Sequence, residues 1–267
     1  MKEIDANKDS WSKISEDHYR HFKETFSEGI GELNSYIKEE LGDVSGKNII
    51  HLQCNTGADT IILAKTAKSV TGVDFVPENI YFAKKLAVEL GIENADFIES
   101  DIMELTGNHN GKYDVVFTSE GVLGWLPDLD IWAGTIRKLL NETGYLHVFD
   151  SHPFFLSFDE SQLDKEIYEI KYPYFGKCPD EDDSIGGYAS QVKHGVKSYY
   201  WMHTISDIIN SLIKAGMHIE FFNEFTENYF DSGNMQPSEK NGLYRYGYNT
   251  DKYPMSFSLK ASVYHAK

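Results

Sequence analysis

The residue types most able to hold a ligand stand in residues 48–63, which read N-I-I-H-L-Q-C-N-T-G-A-D-T-I-I-L. An apolar run ends there in a turn of small residues, Asn55-Thr56-Gly57, and an apolar helical pattern follows at once. A strand that ends in a tight turn before a helix points free backbone N–H groups at a bound ligand. Residues 69–75, about 20 positions further on, form a second strand-like run with Asp74 near its end, and an acid at this offset is the usual partner of ribose hydroxyls. The two segments together predict a site for a nucleotide-like cofactor.

Two further residues have the chemistry of a general base and follow predicted strands. Glu120 comes after the apolar run of residues 113–118, and His152 comes after the run of residues 145–149. Since the carboxyl ends of parallel strands meet at one edge of a sheet, both are expected to face the same crevice. A carboxylate or an imidazole there can accept a proton from a hydroxyl or a protonated amine. Glu120 could equally be a polar residue at the start of a helix.

Strand and helix patterns alternate from residue 48 to residue 150, and these elements must position the site. Pro77 opens one predicted helix and Gly91 ends it, while Pro127 opens another. The predicted strands are near-continuous apolar runs, as is typical of strands buried on both faces. The pattern predicts an α/β fold with a Rossmann-like, doubly wound parallel sheet and helices on both faces.

The chain departs from this alternation at its start and after the fifth strand. Residues 10–42 are helical and amphipathic, with a break near Gly29 and Gly31. Residues 151–203 are rich in aromatic side chains and contain an acidic loop. We therefore predict a single domain over residues 1–267, with residues 1–45 as a helical cap and residues 151–203 as an insertion that covers the substrate.

The α/β pattern resumes after this insertion. Thr204 and Asp207 have the spacing of a capping box, which predicts the start of a helix. Residues 218–225 and 256–265 read as the last two strands, separated by a long aromatic loop.

Composition argues against several functional classes. The formal net charge is -17 and the isoelectric point is near 4.9, and such a field repels a phosphate backbone, so we expect no nucleic-acid partner. Two cysteines, Cys54 and Cys178, are too few for a disulfide framework or a zinc cluster. No run of signal-peptide type or of membrane-spanning length occurs, which predicts a cytoplasmic protein with no membrane partner.

The motifs H-L-Q-C-N-T-G-A-D-T, V-T-G-V-D-F and F-T-S-E-G-V-L-G-W-L-P-D-L resemble those of class I S-adenosylmethionine-dependent methyltransferases. The resemblance covers residues 11–225, is densest over residues 48–152, and is to a bacterial small-molecule-type subgroup of unassigned substrate. It implies a seven-stranded sheet with an antiparallel last strand, S-adenosylmethionine as the cofactor, and a small-molecule methyl acceptor.

The resemblance also carries roles to individual positions at the strand ends. The turn after the first strand would hold the methionine part of the cofactor, and Asp74 would accept hydrogen bonds from both ribose hydroxyls. Asp101 would accept from the adenine amino group, and Ser119 and Glu120 would lie beside the methyl group. The implied cofactor-binding residues are Gln53, Cys54, Asn55, Gly57, Asp74, Phe75, Asp101, Ile102 and Ser119.

The first motif departs from the family pattern of an acid followed by three glycines at alternate positions. Those four places are occupied here by His51, Gln53, Asn55 and Gly57. Asn tolerates left-handed backbone angles, so Asn55 can keep the turn. The amide oxygen of Gln53 could accept a hydrogen bond from the ammonium group of the cofactor. Alternatively, the Gln53 side chain partly fills the pocket, which then no longer binds.

No metal site is predicted, since Ser119-Glu120 does not reproduce the acidic set of the family branch that methylates catechols with a divalent ion. Aromatic side chains are dense in the insertion and in the late loop. They suit a small amphipathic or cationic acceptor, although ordinary packing of a covering segment would also explain them.

The leading hypothesis is a small-molecule methyltransferase, with Glu120 and His152 as catalytic candidates. A degenerate protein that binds S-adenosylmethionine without methyl transfer is the alternative that the altered first motif suggests. A nicotinamide-dependent oxidoreductase is disfavoured because no G-x-G-x-x-G follows the first strand.

Overall fold

A central mixed sheet carries the site, as seen in a computed structural model that describes residues 2–105, 107–187, 189–249 and 251–264. The strands are β1 (Asn48–Leu52), β2 (Ser69–Asp74), β3 (Ala95–Glu99), β4 (Tyr113–Ser119), β5 (Leu140–Ser151), β6 (Asp180–Asp182), β7 (Ile185–Gly187), β8 (Ser190–His194), β9 (Ser198–Tyr200), β10 (Met217–Phe225), β11 (Gln236–Pro237), β12 (Tyr244–Arg245) and β13 (Ser256–Val263). The helices are α1 (Lys2–Ser27), α2 (Ser35–Leu41), α3 (Ala58–Ala64), α4 (Pro77–Glu89), α5 (Leu129–Leu139), α6 (Pro153–Leu156), α7 (Glu160–Leu163) and α8 (Ile205–Lys214).

Seven strands form the sheet in the order β10, β13, β5, β4, β1, β2, β3. β13 is antiparallel to both of its neighbours, whereas β1 to β5 pair in parallel. This confirms the predicted Rossmann-like sheet with an antiparallel last strand. The carboxyl ends of β1, β2 and β4 therefore meet at one edge, where a ligand binds in open α/β sheets.

Both faces of the sheet are covered by helices because successive strand residues alternate in direction. Ile49 packs in one core cluster with residues of α2 and α3, and the next residue, Ile50, packs in another with residues of α5 and α8. Both isoleucines are fully buried. This two-sided burial explains the continuous apolar runs from which the strands were predicted.

Two helices begin at positions other than the predicted ones: α1 begins at Lys2 and not at residue 10, and α5 begins after Pro127. The expectation that Pro127 opens a helix is wrong, because α5 begins at Leu129 and Asp128 is its N-cap. The Asp128 carboxylate accepts hydrogen bonds from the backbone N–H groups of Asp130 and Ile131 at 2.9 and 3.0 Å. A cap that satisfies two free N–H groups outweighs the preference of proline for a first turn.

β5 extends beyond the predicted run of residues 145–149 at both ends, whereas two local signals agree with the structure. α1 and α2 are separated near Gly29, and the capping box of Thr204 and Asp207 is formed. The last strand was expected to reach His265; β13 ends at Val263 and His265 lies outside the described residues.

The segment between β5 and α8 folds as two short helices and paired strands. β7 pairs with β8, and β6 pairs with β9. The amide of Asn7 on α1 donates to the carbonyl of Tyr199 at 2.8 Å and accepts from its N–H at 2.7 Å. These buried hydrogen bonds join α1 to this segment. The limits predicted for the cap and for the insertion stay predictions.

Gly57→Ala should lower the free energy of unfolding by about 2–4 kcal/mol, and Gly29→Ala by about 1 kcal/mol. Both glycines have positive φ, 81° and 75°. A Cβ on Gly57 would lie 2.7 Å from the Phe97 ring, while a Cβ on Gly29 would meet nothing within 4 Å. Both variants carry the free-energy cost of a positive φ at alanine, and only Gly57→Ala also carries the cost of close packing. Comparison of the two variants therefore separates these costs. Urea unfolding measures both, and equal losses would contradict a packing role for Gly57.

Candidate functional site

Two cavities adjoin at the carboxyl edge of the sheet. The inner cavity, about 110 Å³, lies where β1, β2 and β4 end, and the outer cavity, about 470 Å³, lies between the sheet edge and the segment after β5. Both are lined by Trp11, Glu120, Gly121 and Trp125, so these residues form the boundary between them. The residues of the predicted site that line the inner cavity are Gln53, Cys54, Asn55, Asp74, Phe75, Ser119 and Glu120.

The turn after β1 keeps a glycine-like backbone although only one of the three family glycines, Gly57, is present. Gln53, Asn55 and Gly57 have φ values of 55°, 50° and 81°. Asn adopts this left-handed region at low cost, but Gln does so rarely, and such strain persists only where the surroundings enforce it. The side-chain amide of Gln53 donates to the Val122 carbonyl at 3.0 Å. Its Oε1 is buried and has no hydrogen-bond partner among the described residues.

Asp74 ties this turn to the end of β2. One carboxylate oxygen accepts from the backbone N–H of Asn55 at 2.9 Å, and the other accepts from the N–H of Val76 at 2.9 Å and from the Asn79 amide at 3.2 Å. Burial raises the pKa of Asp74 to about 6, against these hydrogen bonds, which lower it. A carboxylate offers about four acceptor positions, so one remains for a ligand.

Glu120 is held in a strained turn after β4, with φ of 63°. Its backbone N–H donates to the Phe149 carbonyl at 2.7 Å, which anchors the turn to β5. Its carboxylate accepts from the side-chain amide of Asn34 at 3.0 Å. Burial and the nearby charges of Asp59 and Asp150 raise the pKa of the Glu120 carboxyl to about 8, against the hydrogen bond from Asn34, which lowers it.

Asp150, at the end of β5, fixes the turn that carries Glu120. Its two carboxylate oxygens accept from four backbone N–H groups, those of Gly121, Val122, Leu123 and Ser151, at 2.7 to 3.1 Å. Burial still raises its pKa to about 6. Sequence analysis missed Asp150, although an acid that ends a buried apolar strand was the signal that could have identified it.

Asp59 adds a third acid to the wall of the inner cavity, after Asp74 and Glu120. It lies in the first turn of α3 and accepts a hydrogen bond from the Ser119 hydroxyl at 2.8 Å. Burial raises its pKa. Asp59 and Glu120 make this part of the cavity favourable for a cation, since a positive group there would offset the cost of burying two carboxylates.

Helix α1 supplies residues that sequence analysis did not assign to the site. Trp11 and Phe22 line the inner cavity, and Trp11 and His18 line the outer one. His18 Nδ1 lies 3.0 Å from the side-chain nitrogen of Asn55, an amide that can only donate, so Nδ1 accepts. Burial lowers the pKa of His18 to about 4, which keeps the ring neutral near pH 7. The amphipathic pattern of α1 was visible in the sequence, but not which residues face the crevice.

The structure does not bring four of the predicted residues to the inner cavity. Gly57 packs against Phe97, and Ile102 is buried in a core cluster. The Asp101 carboxylate accepts from the backbone N–H of Met103 at 2.8 Å and is not part of the cavity lining. His152 lines neither cavity, contrary to the placement predicted from the sequence.

The actual surroundings of His152 explain this difference. Its Nδ1 accepts from the N–H of Phe154 at 3.1 Å, so the ring caps α6. Its Nε2 lies 3.0 Å from Oε1 of Glu224 on β10, and its ring packs edge-on against Phe257. A cap requires the side chain to turn towards its own helix, which takes it away from the crevice.

Comparison with known proteins places the chain in a family. The model of a family described as a methyltransferase domain matches residues 43–203. The chain belongs to this methyltransferase domain family. The class of S-adenosylmethionine-dependent methyltransferases, predicted from the motifs, is thereby confirmed.

Individual relatives resemble parts of this methyltransferase. An uncharacterized RNA methyltransferase of Caldanaerobacter subterraneus subsp. tengcongensis is 38% identical over 95 residues, which are 36% of this chain and 21% of that protein. A ubiquinone biosynthesis O-methyltransferase of Escherichia coli O157:H7 is 35% identical over 94 residues, 35% of this chain and 38% of that protein. The matched segments thus span between about a fifth and two fifths of these curated relatives.

A solved structure supports the fold over most of the methyltransferase chain. A candidate S-adenosylmethionine-dependent methyltransferase from Listeria monocytogenes superposes with a TM-score of 0.60 and 18% identity, over 86% of this chain and 96% of that one.

In the described part of the chain, none of the helices combines the length and apolar character needed to cross a membrane. Among the same residues, no group of three or more His, Cys, Asp or Glu side chains is arranged to hold a metal ion, and the expectation of no metal stays a prediction.

Glu120→Gln should raise the free energy of unfolding above pH 8 by about 1–2 kcal/mol. Because the folded-state pKa of Glu120 is about 8, above its ordinary value, the folded protein keeps a proton that the unfolded chain has already released. The free energy of unfolding of the wild type therefore falls as the pH rises from about 5 to about 8, and the glutamine variant lacks this part of the fall.

Urea unfolding near pH 5 and near pH 9 measures this difference. Glu169→Gln, at an exposed position of the segment after β5, is the matched control. A Glu120→Gln variant with the same pH dependence as the wild type would contradict a raised pKa at Glu120.

Proposed function

We propose that this methyltransferase transfers a methyl group from S-adenosylmethionine to a small-molecule acceptor, with the cofactor in the inner cavity and the acceptor in the outer one. The observation that carries the proposal is the common boundary of the two cavities at Glu120 and Gly121. Methyl transfer needs an acceptor atom in line with the methyl group and no water between them. Two cavities that adjoin beside a buried carboxyl group suit this requirement.

The inner cavity offers groups that fit the cofactor. We assign one ribose hydroxyl to the remaining acceptor position of Asp74, and the ammonium group to Oε1 of Gln53, which is buried without a partner among the described residues. Asn55, Cys54 and Ser119 complete the wall on this side. The fit rests on these acceptors, because the cofactor carries the matching donors.

The adenine end of the proposed site requires a movement of α1. The inner cavity of about 110 Å³ is smaller than typical ligand pockets of about 300–1,000 Å³. α1 contacts the end of β3 through Lys8, whose Nζ lies 3.5 Å from Oε1 of Glu99. We propose that α1 shifts when the cofactor enters, and that Asp101 then accepts from the adenine amino group beside Phe75 and Ile102.

The side chains at the boundary exclude water and accept a proton, which are the tasks that the reaction leaves to the protein. S-adenosylmethionine supplies an activated methyl group on a sulfonium, so no covalent enzyme intermediate is needed. Trp11 and Trp125 exclude water from the boundary, and the Glu120 carboxylate accepts the proton that the acceptor loses. The neutral form of Glu120 cannot accept a proton, so turnover should rise with pH up to about 8.

A small acceptor is favoured over a macromolecule by the cover of the outer cavity. Residues of α1, of β6 to β9 and of the loop around Tyr229 surround it, whereas a macromolecular acceptor requires an open mouth. The net charge of -17 additionally disfavours RNA.

Asp74→Asn should weaken binding of S-adenosylhomocysteine about 10- to 100-fold, because the ribose loses a charged acceptor. Asp101→Asn should weaken it less, by about tenfold, and Asp251→Asn at an exposed distant position should leave it unchanged. Calorimetric titration measures all three. Absence of binding to the wild type would overturn the proposed function, and equal affinities for all variants would overturn the proposed cofactor site.

Glu120→Gln should lower kcat about 100-fold or more and abolish the rise of turnover with pH, while the dissociation constant of S-adenosylhomocysteine changes less than about fivefold. Turnover of an acceptor from a broad screen is followed by formation of S-adenosylhomocysteine. A cofactor-binding protein with no turnover in such a screen would instead support a degenerate methyltransferase. A variant that keeps both its kcat and its pH profile would exclude Glu120 as the base.

A further inference from the structure

We infer that the outer cavity binds a primary or secondary ammonium compound with an aromatic or other flat apolar body, which is methylated on its nitrogen. This inference rests on the proposed function, in which the outer cavity holds the acceptor. It is carried by unpaired carboxyl groups in the cavity wall together with a continuous row of aromatic rings.

Two carboxyl groups of the wall lack hydrogen-bonded partners in the part of the chain that the structure describes. Glu160 and Asp180 line the outer cavity and are only partly exposed, and neither side chain makes a hydrogen bond or an ion pair among the described residues. Burial raises the pKa of both, although the charges of Lys171 and Lys193 lower that of Glu160 in part. Removing a carboxylate from water is costly unless a cation or a donor replaces the water. An ammonium group of the ligand would supply both.

The other acids of this wall are already satisfied by the protein. Glu181 pairs with Lys197 and accepts from the Tyr199 hydroxyl, and Asp182 accepts from the backbone N–H and the hydroxyl of Ser184. Glu160 and Asp180 therefore differ from these two acids, because they have no such partner among the described residues.

Positive charge is scarce in the same wall. Lys193 is the one Lys or Arg among its described residues, and its side chain is exposed. His18, which also lines the cavity, is neutral near pH 7 because burial lowers its pKa to about 4. An anionic acceptor would face Glu160 and Asp180, with the exposed Lys193 as the one basic side chain of the described lining to offset the repulsion.

Aromatic rings connect this acidic wall to the boundary with the inner cavity. The rings of Trp11 and Trp125 pack edge to face with centroids 5.2 Å apart, and those of Trp125 and Tyr200 do so at 5.4 Å. Tyr200 fits there because residue 124 is glycine: a Cβ would lie 1.8 Å from the tyrosine ring. Such faces attract cations and flat apolar groups at once.

Glu120 and S-adenosylmethionine supply the proton acceptor and the methyl donor that the inferred reaction needs. Glu160 and Asp180 attract the ammonium ion into the outer cavity, and at the boundary its nitrogen gives one proton to the Glu120 carboxylate and becomes a neutral amine. Its lone pair then forms the N–C bond to the methyl group as the C–S bond breaks, and the electron pair of that bond stays on sulfur. The products are a methylated ammonium ion and S-adenosylhomocysteine, and Glu120 then releases its proton to solvent.

Three probes of similar shape and different charge test the inference: 2-phenylethylamine, 2-phenylethanol and 3-phenylpropanoate. Binding is measured by calorimetry or ligand-detected NMR on the full chain, with and without saturating S-adenosylhomocysteine. We expect the amine to bind at least tenfold more tightly than the alcohol and the carboxylate. Methyl transfer to the amine, followed by mass spectrometry, gives the second readout.

Variants identify the cavity that binds the amine. Glu160→Gln and, independently, Asp180→Asn should each weaken amine binding at least fivefold and leave binding of the alcohol unchanged. Glu169→Gln, exposed in the same segment and outside the cavity lining, should have no effect on either probe. Thermal unfolding confirms that the variants are folded.

The outcomes separate this inference from the proposed function. If S-adenosylhomocysteine binds but the amine shows no advantage, or none of the probes binds, the ammonium acceptor is overturned and the methyltransferase assignment stands. If the amine advantage depends on Glu160 and Asp180 but S-adenosylhomocysteine does not bind, the cationic site stands and the proposed function falls.

Discussion

Hydrogen bonding of backbone N–H groups to two buried carboxylates is the constraint on which the crevice depends. Asp150 accepts from four such groups around the turn after β4, and Asp74 accepts from those of Asn55 and Val76. Loops at a sheet edge have no ladder to satisfy their N–H groups, and an unpaired buried N–H is costly. These two acids therefore fix the loops that a ligand would meet, and their raised pKa values reflect the burial that this role imposes.

The turn after β1 keeps the backbone geometry of the family's first motif, although Gln53 and Asn55 replace two of the glycines that usually provide it. Glycines are common in such a turn because left-handed angles cost them nothing. Gln53 and Asn55 adopt the same angles here, with Gln53 held by the Val122 carbonyl and Asn55 by Asp74 and His18. The strain is thus balanced by contacts from three different elements, and a polar side chain is placed where the backbone would otherwise be bare.

Segments that are distant in the sequence line the outer cavity. α1 contributes Trp11 and His18, and the segment after β5 contributes the acids and Tyr200. The paired hydrogen bonds between Asn7 and Tyr199 hold the two together. Because neither segment belongs to the central sheet, the lining of the outer cavity, in which we propose that the acceptor binds, can change without a change in the sheet edge.

The sequence alone determined the fold class, the antiparallel last strand implied by its family resemblance, and seven of the residues that line the inner cavity. It could do so because continuous apolar runs, turns and caps are local patterns, and because Asp74 and Glu120 follow strands whose ends must meet. The tertiary structure alone decided which way His152 turns, that Asp150 holds a loop rather than a ligand, and which faces of α1 and the insertion form the second cavity. These depend on contacts between residues up to 192 positions apart, such as Asn7 and Tyr199, and no local pattern encodes where such partners meet.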